Sequence, residues 1–159
     1  MRNQATRWVE RRGRRFARGE RGAALVEFAI VLPLLLTIIF GVVDFARAFY
    51  TQNNLTSAVR EGARWASVQG PGTLTVSGVQ NIVKQFANNT TNTAAKFGGP
   101  AVTDPEITVT FTPALPNTRF ITVAVNNYPF AWITPLPGLV GFGQTNLNAQ
   151  AIFRWERGP

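Results

Sequence analysis

The most apolar part of the chain is the stretch from Gly22 to Val43. Of the 21 residues after Gly22, only Glu27 carries a charge. A helix rises by about 1.5 Å per residue, so this stretch reaches about 30 Å, the thickness of a bilayer's hydrocarbon layer. Because lipid offers the backbone no hydrogen-bond partners, we predict a transmembrane helix over residues 23–43.

The helical pattern continues beyond this span. No proline occurs between Asp44 and Gly70, and Gly70-Pro71-Gly72 then ends the pattern. We therefore predict one long helix over about 23–69, its first half in the membrane and residues 44–70 extending it outside. Apolar side chains at helical spacing predict its buried stripe: Phe45, Phe49, Leu55, Val59, Ala63 and Ala66. Two ion pairs are expected at i,i+3: Asp44 with Arg47, and Glu61 with Arg64.

A short helix and three strands are predicted in the rest of the chain. Apolar residues at helical spacing predict a helix over 76–88, with Thr75 as its N-cap. From Asp104 the apolar positions alternate instead, which indicates half-buried strands. The inward-facing residues expected in the three strands are Ile107, Val109 and Phe111; Ile121, Val123 and Val125 (strand Phe120–Asn126); and Leu147, Ala149, Ala151, Phe153 and Trp155 (strand Thr145–Glu156). The predicted fold class is α+β, with a long amino-terminal helix and a small α+β domain over 71–159 that contains a three-stranded antiparallel sheet.

The positive charge is concentrated before the span. Residues 1–22 hold eight Arg and two Glu, a net +6, whereas residues 23–159 hold eight Lys or Arg and six Asp or Glu, a net +2. Basic residues beside a span stay in the cytoplasm, so we expect residues 1–22 to be a poorly structured cytoplasmic leader and the carboxy-terminal domain to be extracytoplasmic. The topology signal comprises Arg11, Arg12, Arg14, Arg15, Arg18 and Arg21. Trp8 and Phe16 among the arginines leave nucleic-acid binding as an alternative, but we do not expect it, because the span explains the same charges.

Glu27 is the unusual residue of the span. It lies about one turn inside, so its carboxylate could reach the headgroups. Alternatively, a cut after Gly22 would make Ala23 the first residue and Glu27 the fifth. This arrangement resembles the processing site of type IV pilin-like proteins. The resemblance implies cleavage by a prepilin-type peptidase and contact between Glu27 and the free amine of a neighbouring subunit. An ordinary secretory signal, with Ala46-Arg47-Ala48 as its cleavage site, is a further alternative.

Further motifs on the long helix resemble a narrower family. The segment A-A-L-V-E-F-A-I-V-L-P-L-L-L at 23–36, Asp44, and A-V-R-E-G-A-R-W-A at 58–66 are similar to TadE/TadG-like proteins, the pilin-like proteins of tight-adherence (Flp-type) pilus systems. The resemblance implies a pilin-like fold and a minor pilin or pseudopilin. It also implies a location in the bacterial cytoplasmic (inner) membrane, or in a surface filament after assembly, with other pilin-like subunits and an assembly platform as partners. An unprocessed single-pass protein with an outer binding module is the alternative.

Two sets of residues are candidates for packing between subunits. Ala58, Gly62 and Ala66 recur every four residues, and small residues at this spacing allow another element to approach closely. That element is either another subunit or the chain's own domain. The apolar 128–144 connection contains Phe130, Trp132 and Phe142 and either covers the sheet or contacts another subunit.

Catalytic chemistry is not expected from this composition. The chain contains no His and no Cys, the residues on which nucleophilic triads and most acid–base sites depend. The acidic residues are scattered, so we expect no catalytic residues, no metal site and no cofactor.

Overall fold

The protein has an α+β fold, as predicted. The computed structural model describes residues 5–70, 72–92, 94–115, 117–132 and 145–156, and of residues 5–21 it describes the backbone alone. The elements are α1 (Ala5–Ser67), α2 (Val76–Ala87), a short 3-10 turn (Asp104–Glu106), β1 (Ile107–Thr112), β2 (Phe120–Phe130) and β3 (Thr145–Arg154). The chain forms two compact units, which divide between Val42 and Val43.

Helix α1 is longer than predicted at its amino-terminal end. It begins at Ala5 rather than near residue 23, so the expectation of a poorly structured leader is wrong for residues 5–21. Residues 5–21 contain no proline and seven arginines, and arginine is a good helix former. Helix α2 has the predicted start, since the Thr75 hydroxyl accepts a hydrogen bond from the Gly78 N–H at 3.1 Å.

The three strands form an antiparallel sheet in the order β1-β2-β3. Ile107 of β1 lies opposite Val125 of β2, and Val123 of β2 lies opposite Ala151 of β3. The predicted inward faces are confirmed, because these alternating residues join one hydrophobic core with residues of α1 and α2.

The predicted buried stripe of α1 is correct from Leu55 onwards and wrong before it. The later members of the stripe are fully buried, whereas Phe45 and Phe49 are exposed. Near its start, the face of α1 that the domain covers instead contains Asp44 and Thr51, both polar and buried.

Strand β2 continues past its predicted end at Asn126. A β-bulge separates Val125 from Tyr128, and Asn127 within it adopts a left-handed conformation with φ of 57°. The extra residue shifts the alternation, so Tyr128 and Phe130 face the core together with Val125. Pro129 is tolerated because β1 pairs with β2 only up to Val125, which leaves this part of β2 with one neighbouring strand.

Strand β3 runs in the same direction as α1 inside the domain. At its end, Trp155 Nε1 donates to the Gln69 carbonyl at 2.8 Å and Glu156 N donates to the Ser67 carbonyl at 3.0 Å. Near its start, Gln52 Nε2 donates to the Asn148 carbonyl at 2.6 Å. From Asn148 to Glu156 an extended chain advances about 26 Å, and from Gln52 to Ser67 the helix advances about 22 Å, so the contacts at the two ends are compatible. The β2–β3 connection therefore begins and ends at the end of the domain where α1 enters it.

Tyr128 closes the core beneath a glycine loop. Its hydroxyl donates to the Pro100 carbonyl at 2.9 Å, and its ring contacts the Phe97 ring edge-on at 5.6 Å. Gly99 has φ of +97°, and a Cβ atom there would lie 2.7 Å from the Tyr128 hydroxyl oxygen, so this position requires glycine. Burial, with a smaller contribution from the charge of Glu106, raises the pKa of Tyr128 to about 12.

We predict from this pKa that the protein loses stability at alkaline pH. Unfolded tyrosine ionises near pH 10, whereas the folded side chain stays protonated to about pH 12. Unfolding therefore releases a proton between these values, and the free energy of unfolding should fall across this window, by an amount on the order of 2 kcal/mol. Chemical denaturation of the full chain in detergent measures the fall. The fall in the free energy of unfolding should be smaller in Tyr128→Phe and unchanged in Tyr50→Phe, which removes an exposed tyrosine. An equal fall in the wild type and both variants would contradict the assignment of the effect to Tyr128.

Candidate functional site

The residues predicted for processing lie on the exposed surface of α1. Gly22, Ala23 and Glu27 are all helical and exposed. A Cβ atom added at Gly22 would meet no described atom within 4 Å, so packing does not require glycine there. Glycine in an exposed helix costs about 1 kcal/mol relative to alanine, which makes this point of α1 easier to unwind. The six arginines of the predicted topology signal lie in the part of α1 whose side chains are not described.

The apolar stretch after Gly22 is uncovered. In the described part of the chain, α1 is the one helix long and apolar enough to cross a membrane, and none of its most apolar window is buried. The large apolar side chains from Leu25 to Val43, apart from the half-buried Leu32, project outward instead. Surface of this kind is stable only against lipid or against other apolar helices. This uncovered apolar helix is evidence that the chain is a single-pass membrane protein.

An ion pair with a buried carboxylate lies immediately after the span. The side chain of Asp44 is 2% exposed, and Arg47 Nη1 lies 3.3 Å from its Oδ1 atom, at the predicted i,i+3 spacing. The second predicted pair, Glu61 with Arg64, also forms, at 2.9 Å, and is exposed. Removing a charge from water is costly unless a partner compensates it. The Asp44–Arg47 pair should therefore contribute more to the stability of the domain than the exposed Glu61–Arg64 pair.

Arg47 joins the helix to the sheet. Its guanidinium lies 5.5 Å from the centre of the Phe130 ring, and Nη1 also donates to the Ala131 carbonyl at 3.4 Å. Phe130 packs edge-on against Trp132 at 5.0 Å, and Trp132 Nε1 donates to the Thr145 hydroxyl at 3.1 Å. Phe130 and Trp132 thus take part in contacts within the chain's own domain. The third aromatic candidate, Phe142, lies outside the described residues.

We expect Arg47→Met to destabilise the domain, because it takes a cation from the buried Asp44 carboxylate and from the Phe130 ring. The expected loss in the free energy of unfolding is about 1–3 kcal/mol, since Asp44 is buried but Arg47 is itself 41% exposed. The matched control is Arg64→Met, which breaks an exposed pair and should cost less than about 1 kcal/mol. Denaturant unfolding of the full chain in detergent measures both changes; equal losses would show that burial of Asp44 does not matter.

The small residues of α1 lie inside the domain. Ala58 and Ala66 are buried in the core, and a Cβ atom at Gly62 would lie 2.5 Å from Val83 Cγ2 of α2. Gly62 therefore lets α2 approach α1 closely. Of the two predicted uses for these residues, the geometry favours packing within the chain, because none of the three faces outward.

No cluster of three or more potential metal ligands occurs among the described residues. The features of the site that sequence reasoning missed are the exposed aromatic side chains of Phe45, Phe49 and Tyr50 and the contact of Phe130 with α1. A signal for the first was available: Asp44, Arg47 and Thr51 recur at helical spacing, which places polar side chains on one face of this turn and aromatic ones on the other.

Comparison with known proteins finds one family that part of α1 resembles. Residues 22–64 match the family described as TadE-like protein, which confirms the resemblance over this range. The matched segment begins at Gly22, contains Glu27 and Asp44, and ends with the Glu61–Arg64 pair. The family is a structural, pilus-associated one, so the match suggests a component related to the Tad pilus. No curated protein and no solved structure matches the chain significantly.

Proposed function

We propose that this chain, TadE-like over residues 22–64, is a minor pilin or pseudopilin of a tight-adherence pilus or a related secretion apparatus. It is inserted with its amino terminus in the cytoplasm, trimmed after Gly22 by a prepilin-type peptidase, and held in the cytoplasmic membrane until it is assembled. The α+β domain lies on the extracytoplasmic side. The domain is large for the bulk subunit of a Flp-type shaft, and its size is therefore more consistent with a minor subunit.

The observation that carries the proposal is the uncovered apolar helix, with Glu27 five residues beyond a glycine junction. Its apolar side chains are exposed in the isolated chain. They are stable in lipid, and they would be equally stable among the helices of neighbouring subunits. The helix could therefore exchange one apolar environment for the other during assembly.

The free energy needed to take the helix out of lipid implies an external energy source. At about 25 cal/mol per Å² of apolar surface, removing such a helix from lipid without replacing its contacts would cost tens of kcal/mol. Extraction must therefore be coupled to burial against other subunits and driven by an assembly machine. The tight-adherence resemblance implies an assembly ATPase acting through a membrane platform.

Determination of the mature amino terminus in the native cell tests the proposal. Mass spectrometry of the chain purified from membranes and from sheared surface filaments should find Ala23 as its first residue. An intact Met1, with the chain confined to membranes, would instead favour a single-pass protein whose outer domain is a binding module. A start at Phe49 would indicate an ordinary signal peptide and would overturn both.

A further inference from the structure

The first turns of α1 after the span have a reversed distribution of polarity. From Asp44 to Thr51, the two positions buried by the domain are Asp44 and Thr51, both polar. The four positions exposed on the other side are Phe45, Ala46, Phe49 and Tyr50, of which the three aromatic ones are 63%, 59% and 57% exposed. A helix of a water-soluble domain shows the opposite arrangement.

The reversal ends abruptly. The exposed positions of α1 from Asn53 to Arg64 are all polar, comprising Asn53, Ser57, Arg60 and Arg64. The described residues contain no exposed large apolar side chain between Tyr50 and Val68. The medium that the helix contacts therefore changes between Tyr50 and Asn53, not at the end of the apolar run at Val43.

We propose that Phe45, Ala46, Phe49 and Tyr50 form an interfacial lipid surface, which lies in the headgroup layer of the membrane. The inference rests on the membrane location in the proposed function and adds to it where the membrane ends. The aromatic type fits this layer, because aromatic side chains concentrate at membrane–water interfaces.

The distances along the helix agree with this placement. Phe45 lies about 3 Å and Phe49 about 9 Å beyond Val43, and the interfacial layer on each side of a bilayer is about 5–7 Å thick. Side chains on a helix lean towards its amino terminus, so the Phe49 and Tyr50 rings reach back towards the span. The Phe45 and Phe49 rings also contact each other at 5.0 Å, which forms one continuous apolar surface.

The breadth of the surface favours lipid over a second protein helix. At 100° per residue, the four exposed positions cover an arc of about 140°, which is wider than the seam between two helices. At this level the Asp44 carboxylate is buried, and Arg47, although 41% exposed, contacts the domain through Asp44 and the Ala131 carbonyl. The lipid-facing arc is thus free of charge although two charged residues lie in the same turn.

Nitroxide labels at single cysteines test the proposal, since the chain contains no native cysteine. Labels at Ala46→Cys, Ser57→Cys and Ile38→Cys would be introduced in the full chain, which is reconstituted in vesicles of phosphatidylethanolamine and phosphatidylglycerol. Ala46→Cys keeps all three aromatic side chains. Its oxygen-to-nickel-chelate accessibility ratio should lie between the high ratio at residue 38 and the low ratio at residue 57. Adding Phe45→Ser and Phe49→Ser to Ala46→Cys should raise its nickel accessibility several-fold.

Three outcomes would overturn the proposal, and they are distinguishable. A label at residue 46 as accessible to nickel as the one at residue 57 would place the surface in water, while an inaccessible residue 38 would preserve the membrane span. Shielding of residue 46 from both reagents, with spin–spin broadening between labelled chains, would identify a second copy of the chain as the occupant. Nickel access at residue 38 would show that the apolar stretch does not cross the membrane, which would also contradict the membrane location in the proposed function.

Discussion

Replacing Gly22 with valine should abolish trimming, so that the chain accumulates with Met1 or its neighbour as its first residue. Gly22 is helical and exposed, so a peptidase must unwind the helix here to reach an extended backbone. Glycine favours both steps, because it weakens the helix by about 1 kcal/mol and lets the enzyme approach the backbone closely. A β-branched side chain removes both advantages.

The untrimmed chain should also fail to leave the membrane. The leader has a net charge of +6, with eight arginines. Moving an arginine to the centre of a bilayer costs about 2.5–3.5 kcal/mol on insertion scales, so together these residues should hold the helix in place. Mass spectrometry of the membrane fraction and immunoblotting of sheared filaments measure trimming and assembly in the same culture.

Gly41→Val is the matched control for Gly22→Val. Both glycines are exposed positions of α1 at which an added Cβ atom meets no described atom within 4 Å. The control adds the same side chain without touching the junction, and it should be trimmed and assembled normally. If Gly22→Val were trimmed at the same bond as the wild type, the assignment of the junction would be wrong.

Periodic patterns predicted most of the domain because each helix and strand within it has one face on a single core. The alternation of Ile121, Val123 and Val125 fixes both the strand and its inward face, since successive side chains of a strand point to opposite sides. The end of β2 could not be predicted in this way. Asn126-Asn127 has the composition of a turn, but its left-handed Asn127 forms a bulge, and only the pairing with β3 shows that the strand continues.

The membrane-proximal errors have a different origin. Placing Phe45 and Phe49 in the buried stripe assumes that water surrounds the helix, so that aromatic residues must face the protein. The structure instead buries Asp44 and leaves both rings outside. The apolar side of a helix faces whatever apolar surroundings the helix has. That side faces the protein core only where the rest of the helix is surrounded by water. Glu27 lies near the other end of the apolar stretch, and its function can be tested separately.

Glu27→Gln should be trimmed normally but incorporated into filaments more than about a hundredfold less efficiently. Trimming after Gly22 creates an ammonium group at Ala23, and in the assembled helices we propose that the Glu27 carboxylate of a neighbouring subunit pairs with it. Removing one partner of a buried ion pair costs about 3–5 kcal/mol, because the remaining charge is left uncompensated in an apolar medium. In the isolated chain Glu27 is exposed, so its replacement should not disturb the domain.

Glu20→Gln is the control, because it removes the same charge from a residue that is discarded with the leader. The ratio of filament to membrane signal on immunoblots, with trimming checked by mass spectrometry, separates an assembly defect from a processing defect. Assembly of Glu27→Gln at the wild-type level would eliminate the pairing. It would leave the carboxylate one turn inside the span with the simpler function of reaching the headgroups.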